Sequence, residues 1–256
     1  MMRAALAADD GAPVLGTWSQ FDSADAIEVL ASGGLNFTII DTEHTAFGMA
    51  RAQDLLRAAT AAGLPAAVRV PELERVQVAK ARDAGFDAIV APGIRSAADV
   101  RRLCEWMHFP GSGTRGACPC IRQAGQATTN WAEFADASDR AALPLPLIET
   151  PEALDDLAGI LAVDGLRYVV LGPFDLSVAL GHQGDTNCAQ MRGVLAELVR
   201  ACVAASVAPI LPLFAPSRAE LSQSVELWRR AGVRHFTLGT DKMLLSRIVC
   251  DLTARD

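Results

Sequence analysis

The chain has 256 residues, 51% of them apolar, and a formal net charge of −7. No apolar run reaches the roughly 18 residues of a membrane span, and the first residues lack the long apolar core of a secretory signal. We therefore expect a cytoplasmic protein with no membrane partner, built as one large domain or two small ones. The acidic balance also argues against a nucleic-acid surface, because phosphate binding needs clustered Lys and Arg in excess.

The cysteines are scattered along a chain that is long enough to build its own core, so we expect reduced thiols and no disulfide framework. Cys118 and Cys120 flank a proline, but no second paired motif accompanies them, which argues against a zinc site. The six cysteines are Cys104, Cys118, Cys120, Cys188, Cys202 and Cys250.

The predicted elements alternate between helix and strand. A helix-like segment that ends in glycine, followed at once by a short apolar strand, recurs along the chain. Glycine just past a helix supplies the left-handed residue that turns the backbone towards a sheet. The recurring glycines are Gly33, Gly63, Gly85, Gly165 and Gly232.

The segments between these junctions carry helical periodicity and start signals. Ser96 is followed by a stripe of apolar residues at the 3.6-residue period, with Asp99 placed to complete the cap. Ser217 and Glu220 make a second capping box. Further helices are predicted over 24–32, 49–62, 75–84, 151–161, 189–205 and 241–253, and a short one from about residue 130.

Eight strands fit between the helices, which in about 250 residues predicts a single (β/α)8 TIM barrel. The rival is a doubly wound open sheet, but no Gly-x-Gly-x-x-Gly follows the first strand. The Gly- and Pro-rich connection between residues 107 and 143 is long enough to be a functional loop. The strands are predicted over 14–18, 37–41, 66–69, 88–91, 145–149, 168–171, 209–211 and 236–238.

Ionisable residues collect where predicted strands end, which is where barrel enzymes carry their sites. Strand two delivers Asp41, Glu43 and His44; a histidine flanked by carboxylates can serve as a general acid or base. The alternative is that Asp41 simply caps a helix. Arg69 ends strand three and suits a substrate carboxylate or an oxyanion, or else an ion pair with Glu43 or Glu149.

Two further carboxylates follow adjacent strands. Glu149 ends strand five and Asp175 follows strand six, an arrangement that can hold a divalent cation while substrate and water complete its coordination. One of them could instead cap the following helix. Trp18, at the end of strand one, either lines the site or fills the barrel mouth.

Five motifs in this order resemble the HpcH/HpaI aldolase family, and the resemblance covers nearly the whole chain. It implies one modified TIM-barrel domain over residues 1–256, a hexamer built as a trimer of dimers, and a last helix swapped between partners. The motifs are Ile-Ile-Asp-Thr-Glu-His, Val-Arg-Val-Pro, Thr-Arg-Gly, Leu-Ile-Glu-Thr and Gly-Pro-Phe-Asp-Leu-Ser.

The resemblance also implies a metal-dependent aldolase acting on the enolate of pyruvate or a related 2-oxo acid, with an aldehyde partner. Mg²⁺, Mn²⁺ or Co²⁺ would be held by Glu149 and Asp175, and Arg69 would stabilise the oxyanion. His44, oriented by Asp41, would shuttle the proton. The substrate-binding residues expected are Trp18, Glu43, Leu147, Gly172, Pro173, Phe174, Arg122 and Leu211.

Two departures from the family pattern bear on the substrate. Leu147 stands where many family aldolases have a glutamine that contacts the oxo acid. The loop from Arg115 to Arg122 also differs from the usual aldolase loop and resembles branches that include the siderophore-associated citrate synthases. The alternative function is therefore a transferase that condenses oxaloacetate with acetyl-CoA, with Arg69 and Arg122 gripping the dicarboxylate.

Overall fold

The computed structural model describes residues 1–7, 11–215 and 217–253. Eight strands form one closed sheet. They are β1 (Val14–Ser19), β2 (Phe37–Asp41), β3 (Ala66–Arg69), β4 (Ala88–Ala91), β5 (Leu143–Ile148), β6 (Tyr168–Leu171), β7 (Ala208–Pro212) and β8 (His235–Thr240).

Helices lie between the strands and at both ends of the described chain. They are α1 (Met2–Ala7), α2 (Ala24–Ser32), α3 (Met49–Ala61), α4 (Arg75–Ala84), α5 (Ala97–Met107), α6 (Trp131–Ala141), α7 (Pro151–Asp155), α8 (Leu157–Leu161), α9 (Pro173–Ala179), α10 (Ala189–Ala204), α11 (Arg218–Arg230) and α12 (Asp241–Thr253). A short 3-10 turn covers Arg122–Ala124.

Each strand pairs in parallel with the next, and β8 closes back onto β1. The predicted (β/α)8 TIM barrel is thus confirmed. Because the strands are parallel, all eight carboxyl ends meet at one rim of the barrel. The register places Asp41, the last residue of β2, directly beside Arg69, the last residue of β3.

Side-chain alternation along the strands divides the apolar core into two layers. Leu143, Leu145 and Leu147 of β5 point into the barrel, whereas Ile148 packs outward against the helices. Gly16 of β1 makes room for the ring of Phe37, because a Cβ at residue 16 would lie 2.5 Å from that ring. The interior is therefore filled with side chains and is not a pore.

The opposite end of the barrel is closed by α1, a helix that was not predicted. Met2 and Leu6 are each only 2% exposed and join the interior apolar cluster. The ring of His235 lies against this plug, with Nε2 2.8 Å from the carbonyl oxygen of Leu6. His235 is buried here and has a structural role.

Two helical segments differ from the sequence prediction. The helix predicted over 151–161 is divided into α7 and α8 at Asp156, whose carboxylate accepts a hydrogen bond from the backbone of Ala97 instead of facing solvent. The short helix α9 follows β6 without having been predicted, and it begins at Pro173, a residue that suits the first helical position. In the described part of the chain, no helix is long and apolar enough to cross a membrane.

Candidate active site

A cavity of about 350 Å³ opens at the carboxyl-end rim of the barrel. Residues from seven different strand ends or the loops after them line it, so it sits where the sequence predicted chemistry. The lining residues are Trp18, Gln20, His44, Arg69, Leu147, Glu149, Leu171, Gly172, Pro173, Phe174, Asp175, Pro212, Phe214 and Thr240.

The period-two geometry of the strands explains why the charged residues reach this cavity. Ile39 and Ala67 both belong to the interior cluster, and Asp41 and Arg69 come two residues later. Leu147 is likewise an interior residue, and Glu149 follows it at the same spacing. Each charge therefore continues an inward-facing row of apolar side chains beyond the last layer of the core.

Arg69 is held from three sides. Its Nε and Nη2 donate to the two carboxylate oxygens of Asp41 at 2.9 and 2.7 Å, and its Nη1 lies 3.0 Å from Oε2 of Glu43. The guanidinium carbon sits 4.5 Å from the ring centroid of Trp18, and the residue is only 7% exposed. Such a guanidinium is fixed in place before any substrate arrives.

Asp41 is fully buried, and its carboxylate also accepts hydrogen bonds from Gln20 Nε2 at 2.8 Å and from the backbone of Glu43 and His44. Burial raises its pKa, but the hydrogen bonds and positive charge of Arg69 outweigh burial and hold the pKa below its ordinary value. Asp41 caps no helix, since α3 begins only at Met49.

The expectation that Asp41 orients the ring of His44 needs correction. The carboxylate accepts a hydrogen bond from the backbone N–H of His44, while both of its oxygens bind Arg69. The His44 side chain is 59% exposed at the cavity mouth, and its Nε2 lies 4.0 Å from Oε2 of Glu43. Among the described contacts, Glu43 is the carboxylate nearest to the imidazole.

Glu149 is anchored by the backbone N–H of Gly93, which donates to Oε1 at 2.7 Å. Burial, helped by the neighbouring charges of Asp175 and Glu43, raises the pKa of Glu149 to about 7 in spite of the opposing Gly93 hydrogen bond and the charge of Arg69. Gly172 gives the side chain its space, because a Cβ there would lie 2.5 Å from the Cβ of Glu149. Asp175 lines the same cavity from the first turn of α9.

The donor set fits a hard divalent cation. Asp41 and Glu43 contact the guanidinium of Arg69, and Glu149 and Asp175 line the same cavity. Oε2 of Glu43 is buried without a directed hydrogen bond, although it lies close to Arg69. Burial also raises the pKa of Glu43, and the nearby charge of Arg69 only partly offsets this effect.

Within the described residues no group of three or more His, Cys, Asp and Glu side chains forms a closed metal site. A pair of carboxylates with open space beside it is instead typical of a site that substrate and water complete. Glu149 and Asp175 are the residues that could hold such an ion, with Glu43 bordering the adjoining pocket that both also line.

Several predicted substrate-contacting residues do line the cavity, namely Trp18, Leu147, Gly172, Pro173 and Phe174. Trp18 does so while donating from its ring N–H to Oγ1 of Thr237 at 3.0 Å.

Three predicted substrate-binding residues do not line the cavity. Glu43 borders the adjoining pocket instead. Leu211 of β7 packs outward into the helix-facing layer, while Ile210 faces the barrel interior and Pro212 reaches the cavity. Alternation along the strand accounts for this one-residue error. Arg122 lies in a separate groove beside α3 and α4, where its Nη1 donates to the carbonyl oxygen of Ala84 at 3.0 Å.

Sequence reasoning missed Gln20, as it missed the cavity residues Leu171, Pro212, Phe214 and Thr240. Gln20 lies two residues after Trp18, so the inward-facing period of β1 could have identified it. Its backbone N–H, together with that of Phe21, donates to the buried carboxylate of Asp241 at 3.0 Å. Asp241 therefore ties the start of α12 to the loop that supports Asp41.

Comparisons with known proteins agree with this arrangement. A family model described as HpcH/HpaI aldolase/citrate lyase matches residues 15–246. The chain is 31% identical over 241 residues to hydroxypyruvate/pyruvate aldolase of Paraburkholderia phytofirmans, which covers 92% of this chain and 90% of that protein.

Solved structures show the same relationship. An HpcH/HpaI aldolase/citrate lyase family protein from Burkholderia cenocepacia superposes with a TM-score of 0.86 at 29% identity, covering 95% of this chain and 94% of that one. A citrate synthase at 24% identity, with a TM-score of 0.82 over 95% of this chain and 92% of its own, shares the fold. With a matching family model over most of its length and a relative at 31% identity, this protein belongs to the HpcH/HpaI aldolase/citrate lyase family.

Proposed function

We propose that this protein is a divalent-metal-dependent aldolase that forms or uses the enolate of pyruvate or a related 2-oxo acid. The observation that carries the proposal is the convergence of Glu149, Asp175 and a pre-fixed Arg69 on one cavity at the barrel rim. The name of the relative from Paraburkholderia phytofirmans supports the same reaction class.

Glu149 and Asp175 would hold Mg²⁺, Mn²⁺ or Co²⁺, since carboxylate oxygens suit these ions. When bound, the cation supplies positive charge to the oxo acid and acidifies its methyl group. The backbone N–H of Gly93 keeps Glu149 oriented towards the cavity, and Gly172 leaves room for its side chain.

Arg69 would stabilise negative charge on the former ketone oxygen. Its guanidinium is already fixed by Asp41, Glu43 and Trp18, so little reorganisation is needed as the charge develops. In this scheme Asp41 acts as a positioning residue for Arg69 rather than for the imidazole.

His44 would move the proton at the aldehyde oxygen. In the direction of synthesis, the methyl carbon of the oxo acid loses a proton to solvent, a carbon–carbon bond forms between that carbon and the aldehyde carbon, and the aldehyde oxygen gains a proton, so the protons balance. The imidazole at the mouth, near Glu43, can donate that proton and recover it during cleavage.

The alternative, condensation of oxaloacetate with acetyl-CoA, needs a second cation for the additional carboxylate. Sequence reasoning assigned that part to Arg122, which contacts Ala84 in a groove outside the cavity. The described residues therefore favour the aldolase over the transferase.

We also propose that α12 packs against another copy of the chain, as in the expected hexamer with swapped last helices. Of its described side chains only Asp241 is buried, whereas Leu245, Ile248, Val249 and Leu252 are 52%, 57%, 49% and 81% exposed. An apolar helix face of this kind is typical of an oligomer interface.

Proton–deuterium exchange at the methyl group of pyruvate tests the proposed function without any aldehyde. NMR should detect exchange with Mg²⁺ or Mn²⁺, and its loss after EDTA treatment. Arg69→Met should abolish exchange, whereas Arg140→Met, which removes an exposed arginine on α6, should leave it unchanged. Absence of exchange in the metal-supplied wild-type protein would refute enolate formation from pyruvate.

A further inference from the structure

Much of the candidate site's wall is apolar. Leu147, Leu171, Pro173, Phe174, Pro212 and Phe214 all line the cavity. The rings of Phe174 and Phe214 pack edge to face with their centroids 6.5 Å apart, and Phe174 remains 51% exposed. These rings offer an apolar surface to whatever enters beside the oxo acid.

Among the described residues, few cations lie near this wall, and the buried one, Arg69, is already paired. In the described part of the chain, Arg69 and His44 are the basic residues that line the cavity. Arg69 is bound by two carboxylates, and His44 lies next to Glu43. Arg95 lines only the adjoining pocket, together with Glu43, Glu149, Glu152 and Asp175.

A charged acceptor would therefore meet unfavourable electrostatics. A carboxylate on the acceptor would lose its hydration against the apolar wall without gaining a free cation. An uncharged side chain does not pay this cost and gains from burial against the aromatic pair.

On the basis of the proposed aldolase function, we propose that the acceptor is an uncharged aldehyde with an apolar side chain rather than a carboxylated aldehyde. Phe214, on the loop after β7, and Phe174, at the start of α9, select for it by contact. This selection concerns the second substrate only and leaves the 2-oxo acid unchanged.

Two aldehydes of nearly equal shape test the proposal. In 4-methylpentanal an isopropyl group replaces the carboxylate of 4-oxobutanoate, so the pair differs mainly in charge. With pyruvate and Mn²⁺ held constant, kcat/KM should be at least about tenfold higher for 4-methylpentanal than for 4-oxobutanoate. Burial of the two methyl groups favours 4-methylpentanal, and desolvation of the carboxylate disfavours 4-oxobutanoate. Equal values, or a preference for 4-oxobutanoate, would overturn the proposal.

A charge placed on the wall should reverse the preference. Phe214→Arg should raise kcat/KM for 4-oxobutanoate relative to 4-methylpentanal, while Val29→Arg, on the exposed face of α2, should leave the ratio unchanged. If Phe214→Arg does not fold, the wild-type ratio alone decides. Pyruvate methyl exchange separates the two hypotheses: exchange with a preference for 4-oxobutanoate refutes only the acceptor assignment, and no exchange refutes the aldolase itself.

Discussion

Replacement of Asp41 by alanine should destabilise the protein strongly as well as disable it. The buried carboxylate accepts two hydrogen bonds from Arg69, one from Gln20 and two from the backbone of Glu43 and His44. Asp41→Ala removes all of these at once. It leaves the guanidinium of Arg69, only 7% exposed, with Glu43 as its remaining charged partner.

The magnitude follows from the charge pair. Two unit charges whose centres are about 4 Å apart interact by about 4 kcal/mol at an effective dielectric constant of 20. Breaking a buried pair by removing one partner generally costs about 3–5 kcal/mol, because the remaining charge stays buried. We expect the free energy of unfolding to fall by an amount in this range, which is a large part of the about 5–15 kcal/mol typical of a folded protein.

Urea unfolding at pH 7, followed by circular dichroism, measures this loss. Asp22→Ala is the matched control, because Asp22 also pairs with an arginine, Arg51, but both side chains are exposed. An exposed pair of this kind contributes little to stability, so Asp22→Ala should change the free energy of unfolding only slightly. A loss below about 1 kcal/mol for Asp41→Ala would show that water replaces the carboxylate and that Asp41 does not hold Arg69.

A double variant separates charge burial from packing. Asp41→Ala combined with Arg69→Met removes both members of the pair and leaves no buried guanidinium. The combined variant should therefore be less destabilised than the sum of the two single variants. Additive losses would indicate that the two side chains do not act as a pair.

Three further predictions concern other parts of the molecule. In metal-free protein the pKa of Glu149 lies at about 7, above its ordinary 4.5. Its contribution to the free energy of unfolding is therefore complete below pH 4.5, and roughly 3 kcal/mol is lost as pH rises to about 7. Urea unfolding in EDTA at pH 5 and 8 should show this loss, and a rise in stability would contradict it. Gly172→Ala should lower Mn²⁺ affinity by at least about tenfold in calorimetric titration, whereas Gly193→Ala, with open space around its Cβ, should not. Leu245→Glu with Leu252→Glu should reduce the molar mass measured by light scattering, and an unchanged mass would exclude α12 from the interface.

Much of the site could be predicted from the sequence because a parallel barrel imposes simple geometry. Glycine junctions and apolar runs identify the strands, and the chain direction sends every strand's carboxyl end to one rim. Asp41, Arg69 and Glu149 were recognisable as charges that directly follow buried runs. The family resemblance, now confirmed, rests on those same residues.

Errors arose where a one-residue shift or a distant contact decides the outcome. Leu211 and Pro212 are neighbours in the sequence, yet alternation sends one to the helix layer and the other to the cavity. Sequence order could not place Arg122, because the long loop that carries it folds back along α4. Gln20 escaped notice because an amide carries no charge signal, although it follows the inward period of β1.

The sequence by itself determined the barrel, the rim that carries the site and the charges that reach it, since these depend on local periodicity and strand direction. Only the tertiary structure decided how those charges pair. Asp41 lies in register with Arg69 across β2 and β3, so its carboxylate binds the guanidinium and leaves the imidazole of His44 beside Glu43. Pairing across neighbouring strands depends on sheet register, which no single stretch of the chain encodes.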